Sequence, residues 1–155
     1  MWFNDATAGK MDGFLDVAID AGSVSCRSDG LADVAVAVTL TNTAPPEAGA
    51  EWPWWITGGG IEGVAPGDIA TDVSVAGNAQ AFLGGVWQND AIIASEETTD
   101  AGFPTARARV TLAPGASQTL EFRFTADGGG NADPVIQHTP LMRGLDVGAF
   151  DPVCR

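Results

Sequence analysis

Leu31-Ala32-Asp33-Val34-Ala35-Val36-Ala37-Val38-Thr39-Leu40-Thr41-Asn42 decides the fold. Val34, Val36, Val38 and Leu40 recur at every second position, and Ala35, Ala37, Thr39 and Thr41 fill the places between. Side chains leave a β-strand alternately to its two faces, so this spacing predicts a strand over 31–42 with one face turned to a core. Ala44-Pro45-Pro46 ends it, because a proline nitrogen has no hydrogen to give to a neighbouring strand.

The same period recurs on either side. Leu15, Val17 and Ile19 share one face of a predicted strand over 14–20, with Asp16 and Asp20 on the other. Ile69, Thr71, Val73 and Val75 alternate cleanly, a further strand is expected over 81–86, and Gln88-Asn89-Asp90 reads as a turn before Ala91 to Ala94. In the C-terminal third, Ala106, Ala108, Val110 and Leu112 face inward from 105–112, and Leu120, Phe122, Phe124 and Ala126 from 117–126. Pro114-Gly115 between them supplies the fixed φ and the positive φ of a type II turn, and the two segments read as a hairpin. A last strand is expected over 134–139, after Gly128-Gly129-Gly130. No amphipathic helix of ten residues stands out. The expectation is an all-β chain, an immunoglobulin-like antiparallel β-sandwich of about seven to nine strands, with a closed barrel as the alternative. With no repeat of fixed period and no low-complexity linker, residues 1–155 are expected to form one domain.

Composition narrows the class of function. Asp and Glu number 20 against seven Lys and Arg, a net charge of −13, and Lys10 is the only lysine. Nucleic acid and anionic lipid surfaces both select clustered cations, and the six arginines form no run, so neither is an expected partner. No apolar run approaches the roughly 18 residues of a membrane-spanning helix. Met1-Trp2-Phe3-Asn4-Asp5 lacks the basic and apolar regions of a secretory signal, and any targeting segment is expected outside this stretch. The two cysteines, Cys26 and Cys154, invite a disulfide closing a loop of more than 100 residues, worth on the order of 4 kcal/mol; two unrelated buried thiols are the other reading.

Catalytic chemistry finds little support. His138 is the only histidine, with no CxxC spacing to complete a metal site, and it reads as a hydrogen-bonded structural residue in an apolar strand. There is no Gly-x-Ser-x-Gly elbow, and neither glycine triplet ends in the Lys-Ser/Thr of a phosphate loop. Asp127-Gly128-Gly129-Gly130-Asn131-Ala132-Asp133 gathers oxygens that suit calcium but departs from the EF-hand pattern, so a plain hairpin loop is the competing reading. The aromatic cluster is more informative. Trp52, Trp54 and Trp55 lie within four residues, beside Glu51 and with Glu62 nearby. Exposed, such rings stack sugars; buried, they fill a core and need a partner for each indole N–H. Strand alternation puts Trp52 and Trp54 on one face and Trp55 on the other, so at least one ring is expected in the core.

Several phrases run in one order along nearly the whole chain. They are Asn4-Asp5-Ala6-Thr7-Ala8-Gly9-Lys10-Met11, Val38-Thr39-Leu40-Thr41-Asn42-Thr43-Ala44-Pro45, Val110-Thr111-Leu112-Ala113-Pro114-Gly115-Ala116-Ser117, and His138-Thr139-Pro140 ahead of Cys154. Together they resemble the C-terminal part of an actinobacterial envelope family of unknown function, the domain-of-unknown-function family numbered four thousand and twelve. The resemblance implies a longer parent held by an N-terminal membrane helix, with this piece as an outward-facing, cell-surface β domain, and it carries over no catalytic residues. Where Trp54-Trp55-Ile56-Thr57-Gly58 stands, the family suggests a Tyr-Val-Thr-Gly-like segment, so the extra tryptophan sets this chain apart. The expected function is a non-catalytic extracellular structural or interaction module without cofactor or metal, meeting an envelope protein or a cell-wall glycan and making no membrane contact itself. The alternative is a carbohydrate-binding module using Trp52, Trp54, Trp55 and Glu51.

Overall fold

The architecture is a two-sheet sandwich, described for residues 1–127 and 135–150 by a computed structural model. In chain order the strands are β1 (Trp2–Asp5), β2 (Leu15–Cys26), β3 (Leu31–Asn42), β4 (Ile69–Ala76), β5 (Phe82–Gln88), β6 (Ala91–Ile93), β7 (Glu96–Asp100), β8 (Phe103–Leu112), β9 (Ser117–Asp127) and β10 (Leu145–Ala149). A 3₁₀ turn (Met11–Phe14) precedes β2, and two single-turn helices, α1 (Ala48–Glu51) and α2 (Trp54–Thr57), lie between β3 and β4. The first sheet has the order β1-β4-β8-β7 and the second β10-β2-β3-β9-β5-β6. Every pair is antiparallel except β10, which runs parallel to β2.

The alternation read from the sequence becomes the packing between the sheets. Leu15, Val17, Ile19, Val36, Val38 and Leu40 of the second sheet meet Ile69, Val73, Val75, Ala106, Val110 and Leu112 of the first, all buried in one apolar cluster with Leu120, Phe122 and Phe124. Each large aliphatic or aromatic side chain so buried contributes roughly 1.5–3 kcal/mol. The outward positions between them are alanines, threonines and charges, and at Thr39 and Thr119 the hydroxyls bond across β3 and β9 at 2.8 Å.

Three expectations change. β8 and β9 are not a hairpin: β8 pairs with β4 and β7, and β9 with β3 and β5. The turn itself is as read, with Ala116 N–H bonding Ala113 O at 2.9 Å and Gly115 at φ 78. It rolls the chain from one sheet to the other, because both strands have strongly apolar faces that bury each other by stacking rather than by lying side by side. Residues 135–139 form no strand; Met1 and Thr139 meet through Thr139 N–H to Met1 O at 3.2 Å, and Pro140 stops any longer ladder. His138 is exposed there, its Nδ1 2.8 Å from Thr139 O, rather than set in an apolar strand. Among the described residues the strand total rises to ten, because β1, β7 and β10 carry no clear alternation. Residues 128–134 of the loop read as a calcium candidate, and Cys154 of the expected disulfide, lie outside the described residues, among which no helix is long and apolar enough to cross a membrane.

Candidate functional site

The crossover from β3 to β4 carries all three clustered tryptophans, and one residue fastens both its ends. Asn42, the last residue of β3, is fully buried. Its Nδ2 donates to Gly67 O and Leu112 O, each at 3.0 Å, and its Oδ1 accepts from Ala44 N–H at 3.0 Å. Its backbone N–H bonds Ala116 O, and its carbonyl accepts from Gly115 N–H. A buried amide with every group satisfied holds its neighbours in one arrangement. The loop base is tight: a Cβ on Gly49 would stand 2.2 Å from Pro66 O, so only glycine permits that approach.

Within the loop, Pro53 fixes an extended entry and Gly58, left-handed at φ 77, ends α2 after one turn. The back of that turn is clamped by the segment before the 3₁₀ turn. Lys10 N–H donates to Ile56 O at 2.8 Å, and a Cβ on Gly9 would lie 2.8 Å from the same oxygen. The front is aromatic: Trp54 is 66% exposed and Trp55 50% exposed. Lys10 Nζ sits 5.4 Å from the Trp55 ring centroid, within cation–π range. Ile61, 53% exposed, extends the apolar surface of the same loop.

The strand alternation expected here is therefore wrong. With Pro53 starting and Gly58 stopping a helical turn, Trp52 and Trp54 do not share a face, and Trp54 and Trp55 are both exposed. Trp52 is the inner ring, packed against Phe14 with centroids 4.9 Å apart and planes at 45°. Glu51, the last residue of α1, and Glu62, at φ 26, are both exposed on the loop. Nearby, burial pushes the Asp12 carboxyl above its ordinary range, with the charge of Asp5 adding to the effect, and burial raises Asp68 at the loop's exit. Two adjacent indole faces, a cation beside one of them and acids on the same loop can stack a flat, partly apolar ring and hydrogen-bond its edge.

A fourth tryptophan escaped the sequence reading. Trp87, on the outer face of β5, carries the Arg123 guanidinium 4.2 Å above its ring, and Arg123 Nε is bonded to Glu121 at 2.5 Å. With Gln88 and Gln118 they line a shallow, polar hollow of about 440 Å³. Period two was the available signal, since Val86 faces the core and Trp87 must face away. Gly9 and Lys10 had none, because their role depends on a loop more than 40 residues further along. No protein-family model matches the chain, and no curated protein matches it.

Proposed function

We propose that the chain is a non-catalytic structural and interaction module on the outer side of a bacterial envelope, engaging its partner through the Trp54-Trp55 turn. The observation that carries this reading is the exposure of two adjacent tryptophans on a turn held from behind by Gly9 and Lys10. Large rings already fixed by the backbone lose little freedom on docking, so more of their contact energy appears as affinity. A second reading, a carbohydrate-binding module, draws on the same exposure together with the acids Glu51 and Glu62. Co-sedimentation with envelope fragments tests both. The wild-type chain is expected in the pellet and the Trp54→Ala/Trp55→Ala variant in the supernatant; equal retention of the two refutes the site. Protease treatment of the fragments abolishes retention by a protein partner, and glycan digestion abolishes retention by a carbohydrate.

The same module is proposed to carry a Cys26–Cys154 disulfide as a staple, a reading that rests on the even cysteine count of an acidic, turn-rich chain.

A further inference from the structure

The first sheet has two edges, and they are treated differently. Beyond β1 the edge is covered: the Met1 ammonium donates to Gln137 O at 2.6 Å, Thr139 N–H to Met1 O at 3.2 Å, and Phe3 N–H to Thr139 Oγ1 at 3.2 Å. The other edge is β7, Glu96-Glu97-Thr98-Thr99-Asp100, and all five of its residues are exposed.

Which backbone groups β7 leaves unpaired follows from its turn. Ala101 and Gly102, left-handed at φ 49 and 90, form a two-residue loop closed by Asp100 and Phe103. Such a loop is closed by a hydrogen-bonded pair, and bonded and non-bonded pairs then alternate. Thr98–Thr105 and Glu96–Arg107 are therefore bonded pairs, while Glu97–Ala106 and Thr99–Pro104 are not. The N–H and C=O of Glu97 and Thr99 turn away from β8, and an unpaired row of this kind is a template for one more strand.

The side chains choose the occupant. Glu96 is paired with Arg107, but among the described residues neither Glu97 nor Asp100 makes an ion pair. A second copy of β7 docked antiparallel about Thr98 would set Glu96 opposite Asp100, and like charges opposite each other destabilise a sheet. A cationic strand meets the reverse. Along the outer flank, Trp2, Ser74, Arg107 and Glu96 stand in one row across the sheet. A trough of about 550 Å³ beside them, reaching Thr98 and Asp100, leaves room for the side chains of an incoming segment.

We propose that β7 is a docking edge for an extended, lysine-rich segment of another protein, which adds to the first sheet as a fifth strand through the backbone of Glu97 and Thr99. This surface is separate from the Trp54-Trp55 turn. β4 leaves the tryptophan loop at Ile69 and ends at Ala76, opposite Thr105, at the β7 end of the sandwich.

The test uses the full chain and two nine-residue peptides, one alternating lysine with threonine and valine, the other with glutamate replacing each lysine. The lysine peptide is expected to bind and to slow amide hydrogen exchange at Glu97 and Thr99 above the protection of the free chain. Thr99→Pro removes an outward N–H without removing a β7–β8 bond, and Glu97→Lys/Asp100→Lys leaves the backbone untouched. Each is expected to weaken binding about tenfold or more, and Trp54→Ala to leave it unchanged. If Thr99→Pro unfolds the hairpin, the charge variant alone decides. Equal affinity for the glutamate peptide, no added protection at Glu97 and Thr99, or a dimer of the chain that buries β7 overturns the proposal.

Discussion

Replacing Asn42 tests how the tryptophan loop is held. Asn42→Ala removes three buried side-chain hydrogen bonds and strands the Gly67 and Leu112 carbonyls and the Ala44 N–H. At roughly 1 kcal/mol per bond plus the cost of orphaned buried groups, the expected loss is about 3–5 kcal/mol. That is a large share of the 5–15 kcal/mol typical of a domain, and it lowers Tm by roughly 10 °C in a chain of this size. Asn42→Asp is the sharper probe. It keeps the acceptor for Ala44 but turns a carboxylate oxygen toward two carbonyls, so the folded state favours the protonated acid and its pKa rises. A group raised in this way contributes stability that is fully present below its unfolded value near 3.9 and is lost as pH rises through the folded value. Urea unfolding followed by tryptophan fluorescence should therefore find Asn42→Asp nearest to wild type at pH 3 and furthest from it at pH 7. A loss under 1 kcal/mol for Asn42→Ala, or an Asn42→Asp penalty that does not change with pH, refutes the assignment of Asn42 as the anchor.

Four further outcomes follow from the geometry. With the staple formed, alkylation without reductant adds no label to Cys26 or Cys154, and reduction lowers stability by about 4 kcal/mol for a loop of this length; uptake of two labels refutes it. Arg109 Nε and Nη2 hold the Asp72 carboxylate at 2.8 Å and depress its pKa, so the stability lost in Arg109→Gln is greatest above pH 4 and fades as acid titrates Asp72. Asp12 shifts the opposite way through burial, so Asp12→Asn should gain stability at pH 7 and match wild type at pH 3, both read from urea midpoints. Trp54→Ala, at a ring 66% exposed, should change the unfolding free energy by less than about 0.5 kcal/mol while abolishing retention by envelope fragments.

The central strands were legible because burial on one face imposes a period that nothing else in the chain imitates. Leu31 and Asn42 are both the predicted and the observed ends of β3, and β4, β8 and β9 lie within two residues of their expected bounds. β7 was invisible for the converse reason: Glu96-Glu97-Thr98-Thr99-Asp100 buries nothing, so selection for a core left no pattern on it. Pairing was harder than existence. The Pro114-Gly115 turn fits a hairpin locally, and only the stacking of two apolar faces sends β8 and β9 to different sheets. At the tryptophan site the residues were legible and their geometry was not. Pro53 and Gly58 convert an apparent strand into a helical turn, and the Gly9-Lys10 clamp arrives from the far side of two strands.

The partners of β3 impose an order on biosynthesis. Its neighbour β2 is already made when β3 emerges, but Val34 waits for Phe124, 90 residues later. At ribosomal rates of 5–20 residues per second, that interval is roughly 5–20 s. Throughout it, a nascent two-stranded ribbon exposes an oily face and an open flank to whatever else is present. The larger sheet closes only after β9 has been made, so this chain should depend on chaperones early, and truncations before β9 should aggregate rather than fold.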